Sequence, residues 1–194
     1  MCIRDRIYPD EQHPPAGLLE AAATMGNTDY RHCLCFQSLS KRSNLPGLRS
    51  GFVAGDPHWI EQFRRYRTYH GCAMPPHHQI ASEWAWSDEL HVRDNRARYR
   101  EKFAAVTPIL EPVLATPYPD AGFYLWPETP TDDETFAQHL LQHAGVKVLP
   151  GRYLARDTAG GNPGADRVRL ALVAELGQCV EAAERIVHAV KSGG

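Results

Sequence analysis

Ser38, Lys41 and Arg49, within SLSKRSNLPGLRSGFVAGD (38–56), are the residues whose types and spacing could do chemistry. An ε-amine is a nucleophile toward a carbonyl carbon. A guanidinium is a planar five-donor fork matched to phosphate, and a serine hydroxyl adds one more donor. Pro46-Gly47 supplies a turn that can bring the chain back toward Lys41, and Gly47 and Gly51 remove side-chain bulk around Arg49. A lysine taken alone is most often a solvated surface charge. With these neighbours the stretch reads as one amine beside one anion clamp.

The ligand that such a pair suits is a phosphate-bearing aldehyde, and pyridoxal phosphate is the common cofactor of that description, attached to enzymes through a lysine Schiff base. Lys41 would then do two jobs. It anchors the cofactor at rest and, once displaced by a substrate amine, shuttles a proton at the substrate α-carbon.

Short elements must hold these groups. HCLCF (32–36) and SGFVAGD (50–56) read as two strands, with Lys41 on the loop between them. Residues 15–25 form a helix candidate, and Pro57 is placed for the first turn of another that carries Trp59, Ile60, Phe63 and Tyr66 at helical spacing. A helical pattern then runs from Pro76 to about Leu114, with Pro108 and Pro112 expected to kink or end it. Its charged run RDNRARYREKF reads as a solvated face. Beyond Pro117 short strands alternate with helices: 122–126, helix 132–144, 146–151, 167–173, helix 175–190. That alternation is a small α/β unit. The Gly/Pro-rich DTAGGNPGAD (157–166) lacks a phosphate-loop Lys-Ser/Thr and reads as a connecting loop.

Composition narrows the function classes. At 194 residues and 21.7 kDa the chain is long enough to bury a core without staples. Lys+Arg number 21 against Asp+Glu 23, so no charge excess favours nucleic acid or an anionic membrane, and small-molecule partners are expected. Five cysteines without CxxC spacing argue against a disulfide framework and a structural zinc site. A reducing, cytoplasmic setting fits, with no membrane span or signal-peptide core in the sequence. The opening MCIRDRIYPDEQHPP lacks a capping residue or turn, and the chain is expected to start partway through a larger fold.

The 38–56 segment resembles the cofactor-lysine segment of the class I/II, fold-type I aminotransferases: Ser-x-x-Lys followed by Gly-Leu-Arg-x-Gly. More narrowly, SKRSNLPGLRSGFVAGD, YRTYHGCAMPPHHQIASEWAW, FYLWPETP, VLPGRYLAR and GGNPGADRVRLALV together resemble the succinyldiaminopimelate aminotransferases. The likeness runs from Ile7 to about Val190. It implies an α/β fold, the C-terminal part of a fold-type I aminotransferase: 1–75 a remnant of the large cofactor-binding domain, 76–114 a long connecting helix, 115–194 a small C-terminal α/β domain. It assigns Lys41 as the catalytic lysine and Ser38 and Arg49, with Lys41, as the pyridoxal phosphate ligands. Arg169, in VRLAL, matches the arginine that grips the substrate α-carboxylate, although an arginine within a strand can also simply pair with a neighbouring acid.

The implied substrates are amino acids and oxo acids, with glutamate donating its amino group to N-succinyl-2-amino-6-oxoheptanedioate. A homodimer is expected for the complete protein. The family strand that carries an aspartate for the pyridine nitrogen and a tyrosine for the ring oxygen, aligned on Ile7 and Tyr8, places Met1 and Arg4 at those positions. Neither can substitute, so residues 1–6 are read as unrelated to the family and the polypeptide alone is expected to be a weak transaminase. Other amino-donor specificities and a non-catalytic fragment remain open. A metal module is the rival from another class, because His70, Cys72, His77 and His78 cluster, but one sulfur and unpaired spacing argue against it.

Overall fold

LCFQS and GFVAG pair as antiparallel strands β2 (Leu34–Ser38) and β3 (Gly51–Gly55), in register from Leu34 opposite Gly55 to Ser38 opposite Gly51. Alternation along β2 buries Cys35 and Gln37 and leaves Phe36 half-covered, so one face of the hairpin packs inward. The structure is a computed structural model and describes residues 2–3, 7–8 and 14–192. A short strand, β1 (Cys2–Ile3), runs parallel to β2, giving the order β1-β2-β3. Positions 1 and 4, aligned above with the missing aspartate and tyrosine, lie outside the described residues.

The link between β2 and β3 is not the plain loop that the sequence suggests. Ser38 at the end of β2 accepts a hydrogen bond from the Ser40 N–H and starts a one-turn helix, α2 (Leu39–Arg42), so Lys41 is helical. A 3₁₀ turn over Pro46–Leu48 follows, and the Leu39 N–H closes onto the Ser50 carbonyl at 3.1 Å. Asp56 then caps α3 (Pro57–His70) with Pro57 in its first turn, as the sequence suggests.

Asp56 holds more than its helix, because its carboxylate also accepts from the His32 N–H at 2.8 Å. That bond first, with the His58 N–H and the nearby His58 ring, holds its carboxyl below the ordinary aspartate range.

Upstream, α1 (Leu18–Thr24) answers the expected 15–25 helix. The expected 76–114 helix is two helices, α4 (Pro76–Ser87) and α5 (Leu90–Leu110). Asp88 is extended between them, and its side chain accepts from the Leu90 N–H at 2.8 Å to begin the second. Pro108 sits in the last turn of α5, which ends two residues later.

Backbone contacts divide the chain into two units, residues 1–96 and 97–194. The second holds an antiparallel sheet ordered β4 (Tyr124–Leu125), β6 (Val168–Ala171), β5 (Leu149–Pro150). On β5 packs α6 (Asp133–His139), continued as a π-helical turn to Ala144, and α7 (Leu176–Ser192) packs on that turn. Gly145, at φ 61°, closes the π turn in the left-handed conformation that glycine adopts without Cβ strain. Phe103, Val106, Leu110, Leu125, Phe136, Leu140, Val168 and Ile186 are at most 3 % exposed and form this unit's core.

The first unit is less covered. Trp59, Tyr66, Tyr69, Ile80, Trp84 and Leu90 remain 47–87 % exposed, so the apolar stripe read along α3 is only partly buried, chiefly where Phe63 meets Phe36 edge-on at 5.9 Å. Among the described residues no helix is long and apolar enough to cross a membrane.

Candidate functional site

Ser38 and Arg49 are brought to the same closed end of the β2–β3 hairpin. The Ser38 hydroxyl donates to the Ser50 carbonyl at 3.2 Å, so the hydroxyl lies against the residue that follows Arg49. Arg49 itself is left-handed at φ 51° and exposed, and its guanidinium donates to the Pro46 carbonyl at 2.9 Å. Gly51 follows where it must: a Cβ there would come 2.4 Å from the Gln37 carbonyl across the strands. Lys41 is exposed in the last turn of α2, one turn beyond Ser38.

Arg49 lines a cavity of about 770 Å³ together with Phe36, Gln37, Gly51, Arg67 and His78. Ser38 and Lys41 do not line it. The donor chemistry fits a phosphate: a hydroxyl and a solvent-reaching guanidinium, most of whose N–H groups are not used by the Pro46 carbonyl, at one backbone closure. Lys41 follows one helical turn beyond Ser38, outside that cavity.

Arg42 is the residue of this region that sequence reasoning missed. Its side chain is 2 % exposed, and its guanidinium donates to the carbonyls of Ala85 at 2.6 Å, Trp86 at 3.1 Å and Asp88 at 3.3 Å, and pairs with Glu89 at 2.5 Å. It also lies 5.0 Å from the centre of the Trp86 ring. Buried cations survive when every donor direction is met. Arg42 therefore ties the helix carrying Lys41 to the end of α4. Nothing in a Lys-Arg dipeptide distinguishes the buried cation from the exposed one.

In the second unit Arg169, half-buried on β6, sits opposite Leu149 of β5. Its guanidinium lies 5.8 Å from the centre of the Tyr124 ring. Among the described residues it pairs with no carboxylate, which sets aside the plain ion-pair reading. Arg167, two residues earlier, does make such a pair, with Glu128 at 2.5 Å. Arg169 instead lines a pocket of about 600 Å³ with Tyr124, Trp126, Leu154, Pro163 and Gly164. A guanidinium with aromatic walls and no acid partner suits the carboxylate of a small molecule.

The loop 157–166 folds onto the turn at Gly151–Leu154 and supplies part of that pocket's wall. The His70, Cys72, His77 and His78 cluster is not brought together as a ligand set. Among the described residues the one group of three or more metal-competent side chains is Asp132, Asp133 and Asp166. Arg152 is ion-paired with the first two of these.

The chain is similar to known proteins along most of its length. The family described as aminotransferase class I and II matches residues 7–186. An aminotransferase from Neisseria meningitidis superposes with a TM-score of 0.90 at 55 % identity, over 95 % of this chain and 47 % of that one. A Thermus thermophilus protein described as a probable N-succinyldiaminopimelate aminotransferase superposes with a TM-score of 0.73 at 31 % identity, over 84 % of this chain and 43 % of that one. The LL-diaminopimelate aminotransferase of Maridesulfovibrio salexigens is 29 % identical over 93 % of this chain and 45 % of its own length. The chain spans less than half the length of each of these relatives.

Proposed function

Since the chain belongs to the class I and II aminotransferases, a pyridoxal phosphate-dependent family, we propose that it supplies the lysine and anion-binding part of a transaminase acting on N-succinyl-2-amino-6-oxoheptanedioate, with glutamate as amino donor. The products are N-succinyl-LL-2,6-diaminoheptanedioate and 2-oxoglutarate. The class of reaction is supported by the observation that carries the reading: the closed 38–51 segment, which joins an amine-bearing helix to a hydroxyl and a guanidinium. The acceptor is supported by the likeness to the Thermus protein and by the motifs FYLWPETP and VLPGRYLAR. A homodimer is proposed for the whole protein.

Pyridoxal phosphate, when bound, supplies a reactive aldehyde and an electron sink for charge developing at the substrate α-carbon. Ser38 Oγ and the Arg49 guanidinium would hold its phosphate. Lys41 Nζ would hold its aldehyde end and would take the proton from the substrate α-carbon. Arg169 would grip the substrate carboxylate with two parallel N–H donors.

Purified chain is mixed with pyridoxal phosphate and its visible absorption recorded, then glutamate and the oxo acid are added. Formation of a band that borohydride fixes to Lys41 and that Lys41→Ala abolishes is the expected result. A band indifferent to Lys41→Ala overturns the lysine assignment, and consumption of a different oxo acid in preference overturns the acceptor.

A further inference from the structure

Two adjacent aspartates open α6, and only one of them is needed there. Asp132 caps the helix, accepting from the Glu134 and Thr135 N–H groups at 3.1 Å each. Asp133 does no capping, yet its side chain is 0 % exposed. A buried carboxylate is costly unless donors surround it.

The donors come from both ends of the strap 151–166. Arg152 gives Asp133 its backbone N–H at 3.0 Å and its Nε at 2.6 Å, and the Asp166 N–H approaches at 3.4 Å. The Arg152 guanidinium also pairs with Asp132 and reaches Glu134 at 3.6 Å. Burial pushes the Asp133 carboxyl up, but the bonds and charge of Arg152, with the Asp166 N–H, outweigh it and hold the group below the ordinary range.

That strap forms one wall of the Arg169 pocket, through Leu154, Ala155, Pro163 and Gly164. Its start also touches the opposite wall, for a Cβ on Gly151 would lie 3.0 Å from the Trp126 ring. Asp133 itself lines no part of the pocket. We propose that Asp133 is a positioning residue: its buried carboxylate gathers Arg152 and Asp166 and thereby sets the strap at the distance from Arg169 and Trp126 that a substrate carboxylate requires. The inference rests on the reading of Arg169 as the carboxylate grip.

Replacing Trp59, Trp84 and Trp86 by phenylalanine leaves Trp126 as the reporter indole of this pocket. In that parent, acrylamide quenching of Trp126 measures strap closure without any ligand, and the change of its emission with added 2-oxoglutarate measures binding. Asp133→Asn keeps the shape and loses the charge. It is expected to raise the quenching constant about twofold and weaken 2-oxoglutarate about tenfold, the scale of a lost charge-assisted bond. Asp132→Asn is expected to leave both nearly unchanged. If Asp133→Asn does not fold, Arg152→Gln, which keeps the backbone N–H bond and loses the guanidinium, is expected to give the same two changes.

Unchanged quenching, or raised quenching with unchanged 2-oxoglutarate affinity, in a folded Asp133→Asn chain overturns the inference while leaving Arg169 in its role. A parent that does not bind 2-oxoglutarate, or binds it regardless of Arg169→Lys, overturns the carboxylate reading and the inference with it.

Discussion

Gly151 and Gly164 lie backbone against backbone: a Cβ on the first would stand 2.2 Å from the Gly164 carbonyl oxygen, and one on the second 2.3 Å from that of Gly151. Both obstacles are main chain, which cannot swing aside as a flexible side chain does. The strap beside the Arg169 pocket therefore closes only with two glycines facing each other.

Gly151→Ala and Gly164→Ala are accordingly expected to destabilise the second unit by about 1–3 kcal/mol each, the ordinary cost of overpacking. The double variant should cost less than the sum, because the first displacement already opens the contact. Thermal melts by circular dichroism check both points. Two single variants that melt with the parent would show that the strap shifts freely.

Much of this arrangement is legible from residue types. Pro57 behind an aspartate marks the start of α3, and Gly145 behind the apolar run of α6 marks its end, because each signal is a local backbone constraint. Ser38 also carries a local signal, since Ser-x-x at a strand end can cap a helix, but the run SLSKRS is too short to announce one. The division between α4 and α5 is invisible to periodicity. It depends on Asp88 turning extended while Arg42, far away in sequence, takes the carbonyls around it. Asp133 is hidden for a similar reason. Either aspartate of a pair suits a first helical turn, and only the return of residues 152 and 166 decides which is buried.

Arg49→Lys tests the anion clamp. A lysine keeps the charge and suffers the same left-handed backbone at φ 51°, but offers a point charge in place of a fork. Charge-assisted hydrogen bonds contribute about 1.5–3 kcal/mol, so pyridoxal phosphate should bind roughly ten- to hundredfold more weakly. Equilibrium dialysis against the cofactor measures this, and pyridoxal without its phosphate provides the control, for which the two chains should be indistinguishable. An equal loss with both ligands would remove Arg49 from the phosphate.

Arg42→Met should unsettle Lys41 from behind. Methionine fills similar volume but leaves the Ala85, Trp86 and Asp88 carbonyls without their shared donor. Part of that loss is recovered by water, since Asp88 is exposed and Glu89 is 49 % exposed. A cost of about 2–4 kcal/mol to the first unit is expected, from lost bonds to a charged group. Hydrogen exchange provides the sharper check: amides of residues 39–43 and 85–88 should lose protection together, and loss confined to one of the two segments would show that Arg42 does not couple them.

Acid should act on the second unit through Asp132 and Asp133. Both carboxyls are held below the ordinary aspartate value in the fold, Asp132 by the Thr135 N–H first and by Arg152, and Asp133 against its own burial by Arg152 and the Asp166 N–H. A depressed carboxyl means that the unfolded chain binds more protons between the two pKa values, so stability rises with pH through that window. The contribution is therefore complete above the unfolded value of about 3.9 and fades as pH falls below it toward the folded values. Glu134, Tyr153 and Arg152 face the same pair. Urea unfolding of the second unit followed from pH 6 down to pH 2, in steps chosen to bracket ~3.9, should show a steep loss that Asp133→Asn flattens. A variant that is less stable at neutral pH yet equally steep in acid would place the proton uptake elsewhere.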